Sequence, residues 1–304
     1  MEYILSTENL SKHYNHFRAL DSLTMHVEKG SIYGFVGRNG AGKTTLIRLI
    51  CGLQTPTSGG YSLYGSKNTS REITQARRRM GAVVEVPGIY QDMTAEENIR
   101  QQYMILGRPS FDGVRELLEL VGLAHTGRKK AKNFSLGMRQ RLGIAVALAG
   151  DPDFLVLDEP VNGLDPQGIV EIRELLLKLN RERQITVLIS SHILDELSRL
   201  ATHYGFIDNG RMVREISASE LEAACRRCTH LEVSDIHVFT RTLDRMHLEY
   251  AVTSESGADV YGEWNITDLS LALAGDNCKI LKLEARDESL ESYYINLCGG
   301  AHHE

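Results

Sequence analysis

Gly37-Arg38-Asn39-Gly40-Ala41-Gly42-Lys43-Thr44 fits the spacing G-x-x-x-x-G-K-[ST]. Glycines at these places let successive backbone N–H groups turn inward and approach phosphate oxygens. A lysine adds a point charge for the outer phosphates. The threonine hydroxyl is a ligand for Mg²⁺. Further along, Phe154-Leu155-Val156-Leu157 ends in Asp158-Glu159. An aspartate at the end of such a run can hold Mg²⁺ through water. The glutamate beside it can polarise an attacking water as general base. Three more sets carry little by themselves. Ser135 precedes an apolar helical run and reads as a helix cap. Asn162-Gly163-Leu164-Asp165-Pro166 reads as a turn with proline at a helix start. His192 follows an apolar run and, alone, reads as structural.

These residues need a scaffold, and the hydrophobic pattern supplies one. Ile32 to Val36 is an apolar run suited to a buried strand. It leads at once into the glycine loop and then into TTLIRLICGL, whose apolar positions recur at helical spacing. A helix opening at Thr44 turns its positive dipole end toward the loop. DFLVLDEP and ITVLISS predict two more buried strands, separated by the helix GIVEIRELLLKLNRER. Strands alternating with helices imply a parallel sheet covered by helices. The first forty residues instead predict strands with turns; alternation in Leu23-Thr24-Met25-His26-Val27 suits a half-exposed antiparallel strand. Thr94 to Ala131 is helical in pattern. Beyond Val213 the elements shorten: helix ASELEAACRRC, strand THLEVSD, helix IHVFTRTLDRMH, strands LEYAVTSE and ADVYGEW, helix TDLSLALAG, strand KILKLEA and helix SLESYYINLCG. The order βαββαβ predicts a small ferredoxin-like α+β domain.

The composition sets the limits. The chain has 304 residues, 42% hydrophobic and 24% charged, with six prolines, which suits one large or two ordinary globular domains. The longest apolar stretch, Leu142 to Ala149, is far short of the ~18 residues of a spanning helix. No leader is visible at the start, so the chain is expected in the cytosol. Thirty-four Lys and Arg against 40 Asp and Glu give a net charge of −6. That disfavours general nucleic-acid binding, which relies on phosphate neutralisation. Five scattered cysteines do not form a disulfide framework, and Cys225-Arg-Arg-Cys228 reads as two thiols on a helix.

Taken in order, the loop, the Ser-x-Gly helix cap, the acid-ended strand, the Gly-Leu-Asp turn and the later histidine resemble the ATP-binding subunits of ABC transporters. The resemblance covers about residues 1–214. It implies a P-loop NTPase core with an antiparallel β subdomain and a helical subdomain, about 94–150, followed by the accessory α+β domain at 217–304. It implies that ATP lies against Tyr14, which would stack on adenine, and against Gly37, Asn39, Gly40, Gly42, Lys43, Thr44 and Thr45. Ser135 and Gly137 would grip the γ-phosphate of an ATP held by a second copy, with Asp165 at the seam. Glu159 and His192 would be catalytic, and Thr44, Glu85 and Asp158 would hold Mg²⁺.

Two departures matter. The signature reads FSLGM, with Leu136 and Met138 where the family has glycine and glutamine. In Val84-Glu85-Val86-Pro87-Gly88, Glu85 replaces the family's usual glutamine. With SLGMRQRLGIA and LISSHILDEL, this glutamate resembles the bacitracin-resistance and lantibiotic-immunity exporters. It would place a third acid near Mg²⁺, beside Asp158 and Glu159. The resemblance implies an ATPase that works as a homodimer at the inner face of the membrane. It would drive a separate permease that exports antimicrobial peptides. A soluble ABC ATPase and a nucleotide sensor uncoupled from transport stay open as alternatives.

Overall fold

The computed structural model describes residues 2–224, 228–286, 293, 294 and 297. It divides into two compact units, Met1–Ala218 and Ser219–Glu304.

The first unit opens with two long strands, β1 (Tyr3–Tyr14) and β2 (Phe17–Glu28), paired antiparallel. Leu23, Met25 and Val27 are buried while Thr24 is exposed, as the alternation requires. Strands β4 (Ser58–Leu63) and β5 (Ser66–Lys67) extend this sheet in the order β2-β1-β4-β5. Neither was legible beforehand, because Ser58-Gly59-Gly60 has little strand propensity. Gly59 instead serves a close approach: a Cβ there would lie 2.0 Å from the Asn9 carbonyl oxygen.

The second sheet runs β10-β9-β3-β8-β7-β6, where β3 is Ile32–Val36, β6 Met80–Val83, β7 Phe154–Asp158, β8 Thr186–Ser191, β9 His203–Asp208 and β10 Arg211–Ser217. The pairs β3–β8, β3–β9, β7–β8 and β6–β7 are parallel, and only β9–β10 is antiparallel. Strands β3, β7 and β8 are buried at every position, which explains the apolar runs they carry. Helix α1 (Lys43–Ile50) follows β3, and α2 is Ile73–Arg77. The 94–131 segment splits into α3 (Ala95–Ile105) and α4 (Val114–Leu120), with α5 (Leu136–Leu148) next. Thr94 and Glu97 close a reciprocal capping box on α3. Helices α6 (Pro166–Arg183) and α7 (Leu194–Ser198) flank β8 in sequence.

The second unit begins with α8 (Ala218–Ala224), whose first residue closes the first unit. Then come β11 (Cys228–Val233), α9 (Ile236–Arg245), β12 (Tyr250–Val252), β13 (Gly257–Tyr261), α10 (Ile266–Gly275) and β14 (Ile280–Arg286). The sheet order is β12-β13-β11-β14, antiparallel throughout, which is the ferredoxin-like arrangement. Leu231, Val233, Ala258 and Val260 pack under Phe239, Leu243, Leu269 and Leu273. Cys228 is not on a helix as expected: it opens β11 and pairs with Tyr261 and Arg286. The alternating Thr229, Leu231 and Val233 favour a strand once two partners are at hand. Cys225 and, apart from 293, 294 and 297, the helix expected over 289–299 lie outside the described residues. No helix among the described residues is long and apolar enough to cross a membrane.

Candidate nucleotide site

Register assembles the site. Val36 is level with Ser191, and Ser190 with Asp158, across the adjacent strands β3, β8 and β7. The glycine loop, the Asp158-Glu159 pair and His192 therefore leave the sheet at one carboxyl edge. That edge is where parallel α/β sheets bind ligands.

Two loop glycines are required by contact. A Cβ on Gly37 would lie 2.7 Å from the Ile207 carbonyl oxygen. One on Gly42, whose φ is +109°, would lie 2.5 Å from that of Ala19. Gly42 is also the N-cap of α1 and offers no side chain, so the helix's first amides face the loop. Asn39 and Gly40 are exposed, while Thr44 and Thr45 are half-buried at the helix start. Lys43 is 5% exposed. Its ammonium donates to the carbonyl oxygens of Gly37 (2.6 Å) and Arg38 (3.2 Å), and lies 3.1 Å from Glu159 Oε1. That last contact is ionic; among the described residues Oε1 accepts no hydrogen bond.

Glu159 stands just past β7 with φ of +48°, a left-handed conformation that costs a non-glycine residue roughly 1–3 kcal/mol. Its backbone N–H is held by the Ser190 carbonyl (3.2 Å) and Ser190 Oγ (2.9 Å). Its Oε2 is 2.8 Å from His192 Nδ1. Asp158 is 1% exposed and accepts from Ser190 Oγ at 2.6 Å. Lys43, Glu159 and His192 thus form one chain of contacts, and Ser190 ties both acids to β8. Ser190 was missed in the sequence; its signal was the polar pair Ser190-Ser191 closing an otherwise apolar strand.

Ser135 caps α5, accepting from the Met138 amide at 3.2 Å. Asp165 caps α6, accepting from the Gly168 amide at 3.0 Å, with Pro166 at the first turn. The two caps are neighbours: a Cβ on Gly137 would meet Leu164 Cδ2 at 3.8 Å and Gly168 Cα at 3.9 Å. Tyr14 is partly exposed at the end of β1; its hydroxyl donates to Gln54 and Lys12 lies 5.2 Å from its ring centre. Cys51 closes α1, and burial pushes its thiol up to about 12, so it stays protonated and is a poor metal ligand.

Glu85 stands apart from the other acids. It follows β6 with φ of +60°, and its carboxylate is ion-paired with Arg48 on α1. Among the described residues, no group of three His, Cys, Asp or Glu side chains is placed to hold a metal ion. Of the three acids expected near the metal, Glu85 and Glu159 are engaged by cationic side chains, Arg48 and Lys43, and Asp158 by Ser190.

Comparison with known proteins decides the family. The ABC transporter family model matches residues 20–162. The bacitracin transport ATP-binding protein BcrA of Bacillus licheniformis is 40% identical over 304 residues, covering 99% of each chain. The chain belongs to the ABC transporter family. The lantibiotic transport ATP-binding protein SrtF of Streptococcus pyogenes is 40% identical over 212 residues, 70% of this chain and 90% of that one. Among solved structures, the dimeric post-hydrolysis state of the ATP-binding cassette MJ0796 bound to ADP and Pi superposes with a TM-score of 0.64 at 26% identity. It covers 70% of this chain and 98% of that one. This ABC protein accordingly binds and hydrolyses ATP.

Proposed function

We propose that residues 1–214 form the ATP-hydrolysing domain of a peptide exporter and that two copies close around ATP. The observation that carries the reading is the Lys43–Glu159–His192 chain at the mouth of the loop. A phosphate in the loop would compete with Glu159 for the Lys43 ammonium. Glu159 would then be free to take a proton from water, with His192 positioned on its Oε2. Tyr14 supplies an aromatic face for adenine, and Asn39 and Thr45 border the phosphates. Ser135 and Gly137 would meet the ATP of the second copy, with Asp165 at the seam.

The donor set fits Mg²⁺: a helix-start hydroxyl at Thr44 and a buried aspartate, Asp158, hydrogen-bonded through one oxygen by Ser190. Bound there, Mg²⁺ would spread the charge of the phosphates. Glu85 is proposed as a further oxygen for it.

Val86, Tyr90, Met104, Ile105 and Leu106 are exposed apolar side chains at and after Glu85. Such a patch marks an interaction surface. We assign it to a separate permease, which would hold this subunit on the inner face of the membrane. The names of BcrA and SrtF support bacitracin-like or lantibiotic peptides as cargo. Net charge of −6 supports a partner other than nucleic acid.

Two measurements test this. Lys43→Ala is expected to weaken MgATP binding roughly 10- to 100-fold, the equivalent of a charged hydrogen bond of about 1.5–3 kcal/mol. Calorimetric titration reads it directly, and unchanged affinity would show that the loop does not hold phosphates. Coexpression with a candidate permease should raise bacitracin or lantibiotic resistance and bring both proteins down together from membranes. Resistance that is unaffected, with no co-purification, would remove the export reading.

A further inference from the structure

Arg48 lies four residues after Thr44 on α1, so both side chains share one face of the helix, one turn apart. Its guanidinium holds Glu85, at the start of the segment that carries the exposed patch. Arg48 also sits in the last turn of α1, where the helix dipole favours a cation and keeps it in place. We propose that Arg48 is a positioning residue for Glu85: its guanidinium competes with the divalent cation for this one carboxylate, and so sets how much metal the site requires. This rests on the reading of Glu85 as an oxygen for the metal.

The geometry suits exchange rather than permanent pairing. The Arg48 and Glu85 side chains are 36% and 51% exposed. A buried pair would be held by the cost of stranding one charge. An exposed pair is weak enough to open and reclose. Glu85 also keeps a left-handed backbone despite the strain, while its side chain meets Arg48 on α1.

The test is Mn²⁺ binding by the full chain with a non-hydrolysable ATP analogue, read by electron paramagnetic resonance. Arg48→Ala should tighten Mn²⁺ binding about two- to fivefold, the range expected for one exposed ion pair. Arg48→Lys should stay near the starting value, because it keeps the competing charge. In a Glu85→Gln background the Arg48→Ala change should do nothing. If Glu85→Gln weakens Mn²⁺ binding but Arg48→Ala leaves it unaltered, the competition is wrong and the reading of Glu85 survives. If Glu85→Gln leaves Mn²⁺ binding unaltered, the reading of Glu85 falls and the proposal with it. If Arg48→Ala tightens binding equally in both backgrounds, Arg48 acts as a general positive charge and not through Glu85.

Discussion

Glu159→Gln should lower the rate of ATP hydrolysis about 10²- to 10⁴-fold, the span of a lost general base, while ATP still binds. The glutamine keeps the length and one carbonyl oxygen but cannot take a proton from water. The left-handed backbone at this position and the two bonds from its N–H to Ser190 do not depend on the side chain. The site should therefore keep its shape. Lys43 would lose its 3.1 Å ionic partner and become more available to phosphate. ATP affinity should hold or rise, and the closed dimer should accumulate because the step that opens it is blocked. Single-turnover hydrolysis and size-exclusion chromatography with ATP measure the two effects. A variant that turns over ATP near the wild-type rate would show that Glu159 is not the base.

Ser135→Arg should abolish ATPase activity although it lies outside its own phosphate loop. Ser135 is the exposed N-cap of α5, the end where the helix's first amides and positive dipole lie. A bulky cation there would block the ATP of the facing copy. Mixed with Lys43→Ala chains, it forms some dimers in which one site carries both lesions and the other carries neither. Activity that returns in the mixture supports two shared sites in a symmetric pair. Full activity from a monomer at high dilution would rule the shared site out.

What was readable beforehand was local in the chain. The phosphate loop and the start of α1 fall within eight consecutive residues, so spacing alone specifies both the turn and the amides. Ser135 was legible as a cap because a cap is a bond between residues three apart, whereas the cap at Asp165 reads in the sequence only as a turn before a helix. The order of the second unit's elements followed from alternating and helical periodicity. Its register did not. Cys228 reads as helical in the sequence, since the two arginines that separate it from Cys225 say nothing about a strand partner thirty or more positions away.

The site itself depends on pairs no local pattern encodes. Lys43, Glu159 and His192 come from three segments separated by more than a hundred residues at the widest. They meet because β3, β8 and β7 are neighbours in the sheet, in an order that the chain does not follow. Ser190 joins Asp158 to Glu159 for the same reason. For Glu85, the sequence by itself determined that an acid replaces the usual amide. Only the tertiary structure decided that this acid meets Arg48 rather than the other two carboxylates. Residue type sets which ions a side chain can hold. Which ion is within reach is set by strand order and helix face, and those follow from burial of the whole core.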